Sequence, residues 1–244
     1  MRALVVSDIH ANRAAFEAVL EDGAGDYDHC VCLGDLVGYG PDPDEVVERA
    51  REACDVILGG NHDLAACGRM SVSDFSSHAR AAMEWTRSRI SDSTLDFLRG
   101  LPSITERWGL LFSHGSPAAP VWGYILSAED AAEAFSGGDF SLCLFGHTHV
   151  PSAFSLGAAG GRNALEIAYG TAGSRLDLGA GRWLLNPGSV GFPRDAADAH
   201  STDSERRAVA RYGLIDTDSR TWEFRRVEYD LRETARRMRG AGLW

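Results

Sequence analysis

The stretch Ala3-Leu4-Val5-Val6-Ser7-Asp8-Ile9-His10-Ala11-Asn12 reads as a short buried strand that runs into a carboxylate and an imidazole two residues apart. A helix is expected next, over Asn12–Glu21, with Phe16, Val19 and Leu20 at i, i+3 and i+4. The same sentence is then repeated with different words. A strand at Cys30–Leu33 leads into Gly34-Asp35, and a helix over Asp44–Ala53 is entered through Pro41 and Pro43. A third strand, Val56–Leu58, leads into Gly60-Asn61-His62-Asp63. Strand, helix, strand, helix, strand is the order of a parallel sheet with crossover helices.

Two further short strands carry the pattern on. Leu110–Phe112 precedes Ser113-His114-Gly115, and Ser141–Phe145 precedes Gly146-His147-Thr148-His149, with a helix near Ala128–Phe135 between them. Residues 64–100 read as mostly helical. Phe75, Ala79, Ala82 and Met83 share one face, and a second helix from Ser91 is closed by Gly100 and Pro102. After Pro151 the character changes. Strand-like pieces at Ala164–Tyr169, Trp183–Leu185, Ala208–Ile215 and Thr221–Tyr229 alternate with Gly-rich or polar turns, which predicts a mostly antiparallel second sheet. A last amphipathic helix is expected from Leu231 to Met238. Gly157–Arg162 and Asp195–Glu205 are expected to be mobile loops.

Composition narrows the chemistry. All 24 basic residues of the 244 are arginine, so mechanisms built on a lysine ammonium are excluded: a P-loop, a kinase strand lysine, a pyridoxal Schiff base, a Ser-Lys dyad. The formal charge is −11, although residues 206–244 carry ten of the arginines and six of the 35 acids. Those arginines alternate with acids instead of forming a run, so stable binding of nucleic acid is not expected. None of the five cysteines forms a C-x-x-C pair, which excludes a zinc ribbon. Met1-Arg2 runs straight into the first strand with no signal-type apolar core, and no stretch approaches the ~20 apolar residues of a spanning helix. A cytoplasmic protein with reduced thiols and no membrane partner is expected.

In a parallel α/β sheet the carboxyl ends of the strands meet at one edge, where ligands bind. The five clusters should therefore converge, and they hold five of the eight histidines. Asp8, Asp35, Asn61 and the histidines offer carboxylate, amide and imidazole but no thiolate. That donor set fits a transition-metal centre and not calcium. Seven donors exceed the four of one structural zinc. A bridging aspartate would let them serve two ions ~3.5–4 Å apart, a clamp for in-line attack on phosphorus.

Asp-x-His, Gly-Asp, Gly-Asn-His-Asp, His-Gly and Gly-His-x-His, in this order, resemble the calcineurin-like metallophosphoesterases. Asn186-Pro187-Gly188-Ser189 is similar to the small bacterial and archaeal members. The resemblance implies one domain over residues 1–244. Its fold would be an α/β four-layer α-β-β-α sandwich of two mixed sheets flanked by helices, with an extra helical segment near 64–100. It implies two divalent transition metal ions: manganese, iron, zinc, cobalt or nickel. Asp8, His10 and His149 would hold the first, Asn61, His114 and His147 the second, and Asp35 would bridge them. His62 would stand beside the substrate and protonate the leaving oxygen, while Asn61 and the ions neutralise the phosphoryl oxygens. The attacking group would be a hydroxide shared by the ions. The substrate would be a small phosphate ester or a nucleotide.

The second motif departs from that of the protein phosphatases and the symmetric diadenosine tetraphosphatases, Gly-Asp-x-Val-Asp-Arg-Gly. Here it is Gly34-Asp35-Leu36-Val37-Gly38-Tyr39-Gly40. The aspartate that supports the catalytic histidine is Gly38, and the arginine that grips phosphate is Tyr39. Loss of a bidentate phosphate contact favours a phosphodiesterase over a phosphomonoesterase or protein phosphatase. A non-catalytic scaffold on this fold is disfavoured because every ligand position and His62 are intact. Asp63 is expected either to orient His62 or to cap a helix. Tyr39 is expected to pack in its loop. Arg13 and Arg194 are expected to be solvated or ion-paired, and Trp85, Trp108, Trp122 and Trp183 to fill core or cap.

Overall fold

A computed structural model describes residues 1–157, 164–194 and 208–243. Two six-stranded sheets form its centre. The first follows the predicted alternation: β1 (Arg2–Val6), α1 (Arg13–Asp22), β2 (His29–Cys32), α2 (Pro43–Ala53), β3 (Val56–Ile57). β1, β2 and β3 pair in parallel. Asn12 caps α1 by accepting from the Ala15 amide, and Pro43 sits in the first turn of α2, where its missing N–H costs nothing.

The segment 64–100 resolves into three helices: α3 (Asn61–Ala66), α4 (Ser77–Arg87) and α5 (Asp92–Arg99). Ser76 and Ser91 cap the second and third. Next come β4 (Ile104–Arg107), β5 (Leu110–Ser113), α6 (Ala128–Ser136), β6 (Leu142–Phe145), β7 (Ser152–Leu156), β8 (Leu165–Tyr169), β9 (Arg175–Asp177), β10 (Arg182–Asn186), β11 (Ala208–Asp216), β12 (Thr221–Tyr229) and α7 (Leu231–Ala241). The expected loop 195–205 and most of 157–162 lie outside the described residues.

The expected division into a parallel half and an antiparallel half is corrected. Each sheet is mixed. The first runs β3-β2-β1-β11-β12-β9 and the second β4-β5-β6-β10-β7-β8. β5, β6 and β10 are parallel, and antiparallel strands complete both sheets. The C-terminal strands are thus dealt to two open edges. β11 covers the free edge of β1 in the register Arg2↔Asp216, closing a loop of more than 200 residues that no local pattern could reveal.

Alternation along β1 gives the layers. Ala3 and Val5 point to the second sheet, joining Phe112, Leu144, Leu185 and Trp222 between the sheets. Leu4 and Val6 point the other way, under Phe16 and Val19 of α1 and Val46 and Val47 of α2. On the far side Cys143, Phe145 and Phe154 pack beneath Ala131, Ala134 and Phe135 of α6. This is the four-layer α-β-β-α order. All five cysteines are free. Among the described residues no helix is long and apolar enough to cross a membrane.

Asn186-Pro187-Gly188-Ser189 ties two strand ends together. The buried Asn186 Nδ2 donates to Gly146 O (2.8 Å) and Thr148 Oγ1 (3.0 Å), and its Oδ1 accepts from the Gly188 amide (2.8 Å). Ser189 Oγ donates to Asp8 O at 2.8 Å. Asn186→Ala leaves the Gly188 amide unpaired, worth about 1–3 kcal/mol, and removes one of two hydrogen bonds from each of Gly146 O and Thr148 Oγ1, about 0.5–1.5 kcal/mol apiece. Urea unfolding should show a loss of about 2–4 kcal/mol. A loss below about 0.5 kcal/mol would mean that water replaces the amide and that the tie does not hold the loops.

Candidate metal centre

The five strand ends do converge. Asp8 and His10 follow β1, Asp35 follows β2, Asn61 and His62 open α3 beyond β3, His114 follows β5, and His147 and His149 follow β6. All are buried. Ligating atoms of Asp8, His10, Asp35 and His149 lie within 4.8 Å of one another, and so do those of Asp35, His114 and His147. Asp35 belongs to both groups. Its Oδ2 lies 3.7 Å from His10 Nε2 and its Oδ1 3.6 Å from His114 Nε2. Asn61 Oδ1 is 3.1 Å from the same His114 nitrogen.

The backbone is bent for this purpose. Asp8, His10, Asp35, His147 and His149 all have φ between 50° and 64°, a left-handed conformation that costs on the order of 1 kcal/mol or more for each non-glycine residue. Main-chain bonds hold it: Asp8 N donates to Gly34 O and His10 N to Asp35 O, both at 2.9 Å. Gly60 is required by close approach, since a Cβ there would stand 2.1 Å from Asp35 Oδ1.

The imidazoles are aimed by their second nitrogens. Nδ1 of His10, His114 and His149 faces the carbonyls of Val37 (3.2 Å), Leu33 (2.9 Å) and Phe192 (2.6 Å). Donating there fixes the proton on Nδ1 and leaves the Nε2 lone pair toward the centre, the usual arrangement behind a metal-ligating histidine. Nε2 of His10 and His149 consequently face each other at 3.1 Å. Asp8 Oδ1 and His147 Nε2 are buried without a hydrogen-bond partner among the described residues. Opposed lone pairs and orphaned acceptors around buried carboxylates are what a cation would relieve, so these residues fit divalent metal ions.

Electrostatics agree. Burial pushes the Asp8 carboxyl up to about 7 and raises Asp35 well above the carboxylate range, Asp35 further by its neighbours Asp63 and Asp8. Burial lowers His10, His114 and His149 well below the usual imidazole value and His147 to about 4. Neutral imidazoles are ready ligands, whereas the clustered acids resist ionising until positive charge arrives.

Other candidates fall differently. Among the described residues the Asp63 carboxylate has no hydrogen bond to His62. It accepts from the amides of Leu36, Val37 and Gly60, capping α3 and fastening the Asp35 loop to it. His62 Nδ1 is buried without a hydrogen-bond partner among the described residues and faces Gly38, where a Cβ would lie only 2.3 Å away. Arg13 is on the surface, 3.7 Å from Glu17. Tyr39 packs in its loop and Arg194 is exposed, both as expected, and with the half-buried Trp122 they also line a cleft of about 270 Å³ over the centre. Tyr39 is turned there by its own positive φ and stacks on Phe192. The exposed Arg194 guanidinium reaches over the Phe192 ring at 5.8 Å. Phe75 and Tyr124 complete walls that the sequence did not disclose, because nothing in their spacing separates a cleft aromatic from a core one.

The fold and buried His/Asp centre define a class, and the comparisons name it. The chain belongs to the calcineurin-like phosphoesterase superfamily, whose domain model matches residues 1–203. It is a metal-dependent phosphoester hydrolase. It is 34% identical over 235 residues to an uncharacterised protein of Methanocaldococcus jannaschii, covering 94% of this chain and 88% of that one. A metallophosphoesterase from Sphaerobacter thermophilus, of known structure, is 40% identical with a TM-score of 0.84, over 100% of this chain and 95% of that one. A hypothetical protein from Pyrococcus horikoshii shares the fold at 19% identity, with a TM-score of 0.71 over 100% of this chain and 94% of that one.

A pH dependence follows for protein stripped of metal. Unfolded imidazoles still carry protons near their ordinary value of 6.5 while the buried ones do not, so the histidines raise stability with pH up to about 7.5 and set no slope above it. Asp8 and Asp35 hold protons when folded that they have already lost when unfolded, and Asp35, raised well above the carboxylate range, keeps its proton furthest, so above about pH 7.5 stability falls as pH rises. The melting temperature of chelated protein should therefore drop between about pH 7.5 and 9. Its rise on adding Mn²⁺ should be larger at about pH 9. A chelated protein that grows more stable over that interval would contradict the assignment of buried, uncompensated acids.

Proposed function

We propose that this hydrolase cleaves phosphodiesters with two divalent metal ions. Asp8, His10 and His149 would hold the first, Asn61, His114 and His147 the second, and Asp35 would serve both. The observation that carries the reading is the overlap of two donor groups at a single carboxylate. When bound, such ions supply Lewis acidity that activates water and neutralises charge on phosphorus-bound oxygens.

The chain's own groups do the rest. Asn61 presents its amide beside the reacting phosphoryl group. His62, with Nδ1 against Gly38, has Nε2 left for the substrate and gives its proton to the leaving ester oxygen. Burial holds that ring well below the usual imidazole value, helped by the neighbouring His10 and His147. An anionic phosphoryl group in the cleft would offset this. Arg194 takes over the phosphate contact that Tyr39 cannot make. Among the described residues it is the only arginine lining the cleft. Beyond the ions, a single cationic side chain with the Asp74 carboxylate and aromatic walls suits the one negative charge of a diester better than the two of a monoester. Turnover of bis(p-nitrophenyl) phosphate should exceed that of p-nitrophenyl phosphate, and the reverse order would turn the reading to a phosphomonoesterase.

Metal analysis separates the ligand roles. Asp35→Asn should deplete both ions, whereas His147→Ala should retain one. Both metals retained in Asp35→Asn would rule out a shared carboxylate. His62→Ala should keep its metal, because Asn61 already supplies the ligand at that strand end. Its kcat should fall ~10²–10⁴-fold for an alkyl or nucleoside leaving group and much less for nitrophenolate, which departs without a proton. Equal losses on both would assign His62 to charge stabilisation instead.

A further inference from the structure

A continuous arc of rings leads from Phe192 along the cleft, whose wall holds Tyr39, His62, Phe75, Trp122, Tyr124 and His147. Phe192 stacks on Tyr39 at 4.7 Å and 10°, and Tyr39 lies 4.8 Å from His62. His62 lies 4.7 Å from Phe75, and Phe75 meets Trp122 edge-on at 5.7 Å. Trp122 stands 6.0 Å from His147, over which Tyr124 is tilted at 4.2 Å. Tyr39 and Phe75 are buried, so packing accounts for them. It accounts for only part of Trp122, which packs against the core on one side and stays half-buried at the cleft wall, and not for Tyr124, which remains 45% exposed beside a metal-ligand candidate. Exposed aromatic faces lining a concave site mark surface kept for a ligand.

We propose that Trp122 and Tyr124 form a subsite for a planar π-bearing arm of the substrate, an aryl group or a nucleobase, seated while the phosphoryl group lies beside Arg194. The proposal rests on the reading of the cleft as a phosphodiesterase site and adds which diester it takes. A π face binds any flat ring, and stacking is tolerant of which ring it is. An alkyl or open-chain arm would leave these two faces uncovered. The volume of about 270 Å³ has room for a phosphoryl group with one small ring system, at the lower end of small-molecule sites, and not for a folded protein loop.

The test keeps the leaving group constant and changes only the retained arm. Manganese-loaded protein is given p-nitrophenyl phosphodiesters whose other arm is methyl, phenyl or thymidin-5′-yl. Phenyl and thymidinyl esters should exceed the methyl ester in kcat/KM about ten-fold or more, mainly through KM. Trp122→Leu and the surface substitution Tyr124→Leu should each shrink that ratio toward one. Thymidinyl ahead of phenyl assigns the subsite to nucleobases, and phenyl ahead assigns it to simple aryl groups. Equal constants for all three arms, or a ratio that neither substitution changes, overturn the subsite and leave hydrolysis standing. Calorimetry with phenylphosphonate and methylphosphonate reads the same preference without turnover. Tighter binding of the phenyl compound by a protein that cleaves none of the diesters would keep the subsite and remove the phosphodiesterase reading.

Discussion

Two aspartates and four histidines are buried together, and the rest of the molecule is arranged around that difficulty. Asp8 Oδ1 and His147 Nε2 have no hydrogen-bond partner among the described residues, and the Nε2 atoms of His10 and His149 oppose each other at 3.1 Å. Buried unpaired polar groups and charges cost several kcal/mol unless a counter-charge meets them. Divalent cations meet them all at once. The cluster is therefore a ligand set first and a structural element second.

The fold makes that cluster by collecting strand ends from both sheets. β1, β2 and β3 bring Asp8, His10, Asp35 and Asn61 from the first, and β5 and β6 bring His114, His147 and His149 from the second. Neither sheet holds a full set for both donor groups. The left-handed backbone at five of these positions is local strain that the surroundings must hold in place. Asn186 and Ser189 supply part of that restraint, one bonding to the His147 loop and the other to Asp8. Asp63 supplies more by joining three amides of the Asp35 and Asn61 segments.

What was legible in the sequence was local. Strands of three or four apolar residues, each followed by Gly, Asp, Asn or His, place both the element and its chemistry. The six residues of the two donor groups, and Asn61 beside them, stand out in that pattern. Partner choice among strands was not legible. β7 was missed because Ser152 and Ser155 break its apolar run although both are buried, and β9 because three residues in a Gly-rich stretch carry no period. β4 was missed because as an edge strand it is largely exposed and reads as a turn. The assignment of β11 to β1 depends on contacts between the two ends of the chain. Arg194 and Trp122 were read as ordinary surface and packing residues, since an arginine-only basic set and scattered tryptophans give no sign of which one overhangs a cleft.

The departure at Gly38 also has its explanation in space. A side chain there would meet His62 Nδ1, so the ring occupies the room that a supporting aspartate would need. His62 is held by its ring neighbours instead, Tyr39 and Phe75 among them. The account as a whole turns on Asp35 as the shared ligand of two ions. Anomalous diffraction from crystals of manganese-loaded protein tests it most directly. Two peaks are predicted, one between Asp35 and the Asp8, His10, His149 group and one between Asp35 and the Asn61, His114, His147 group. A single peak at full manganese loading, or two peaks of which only one touches Asp35, would contradict it.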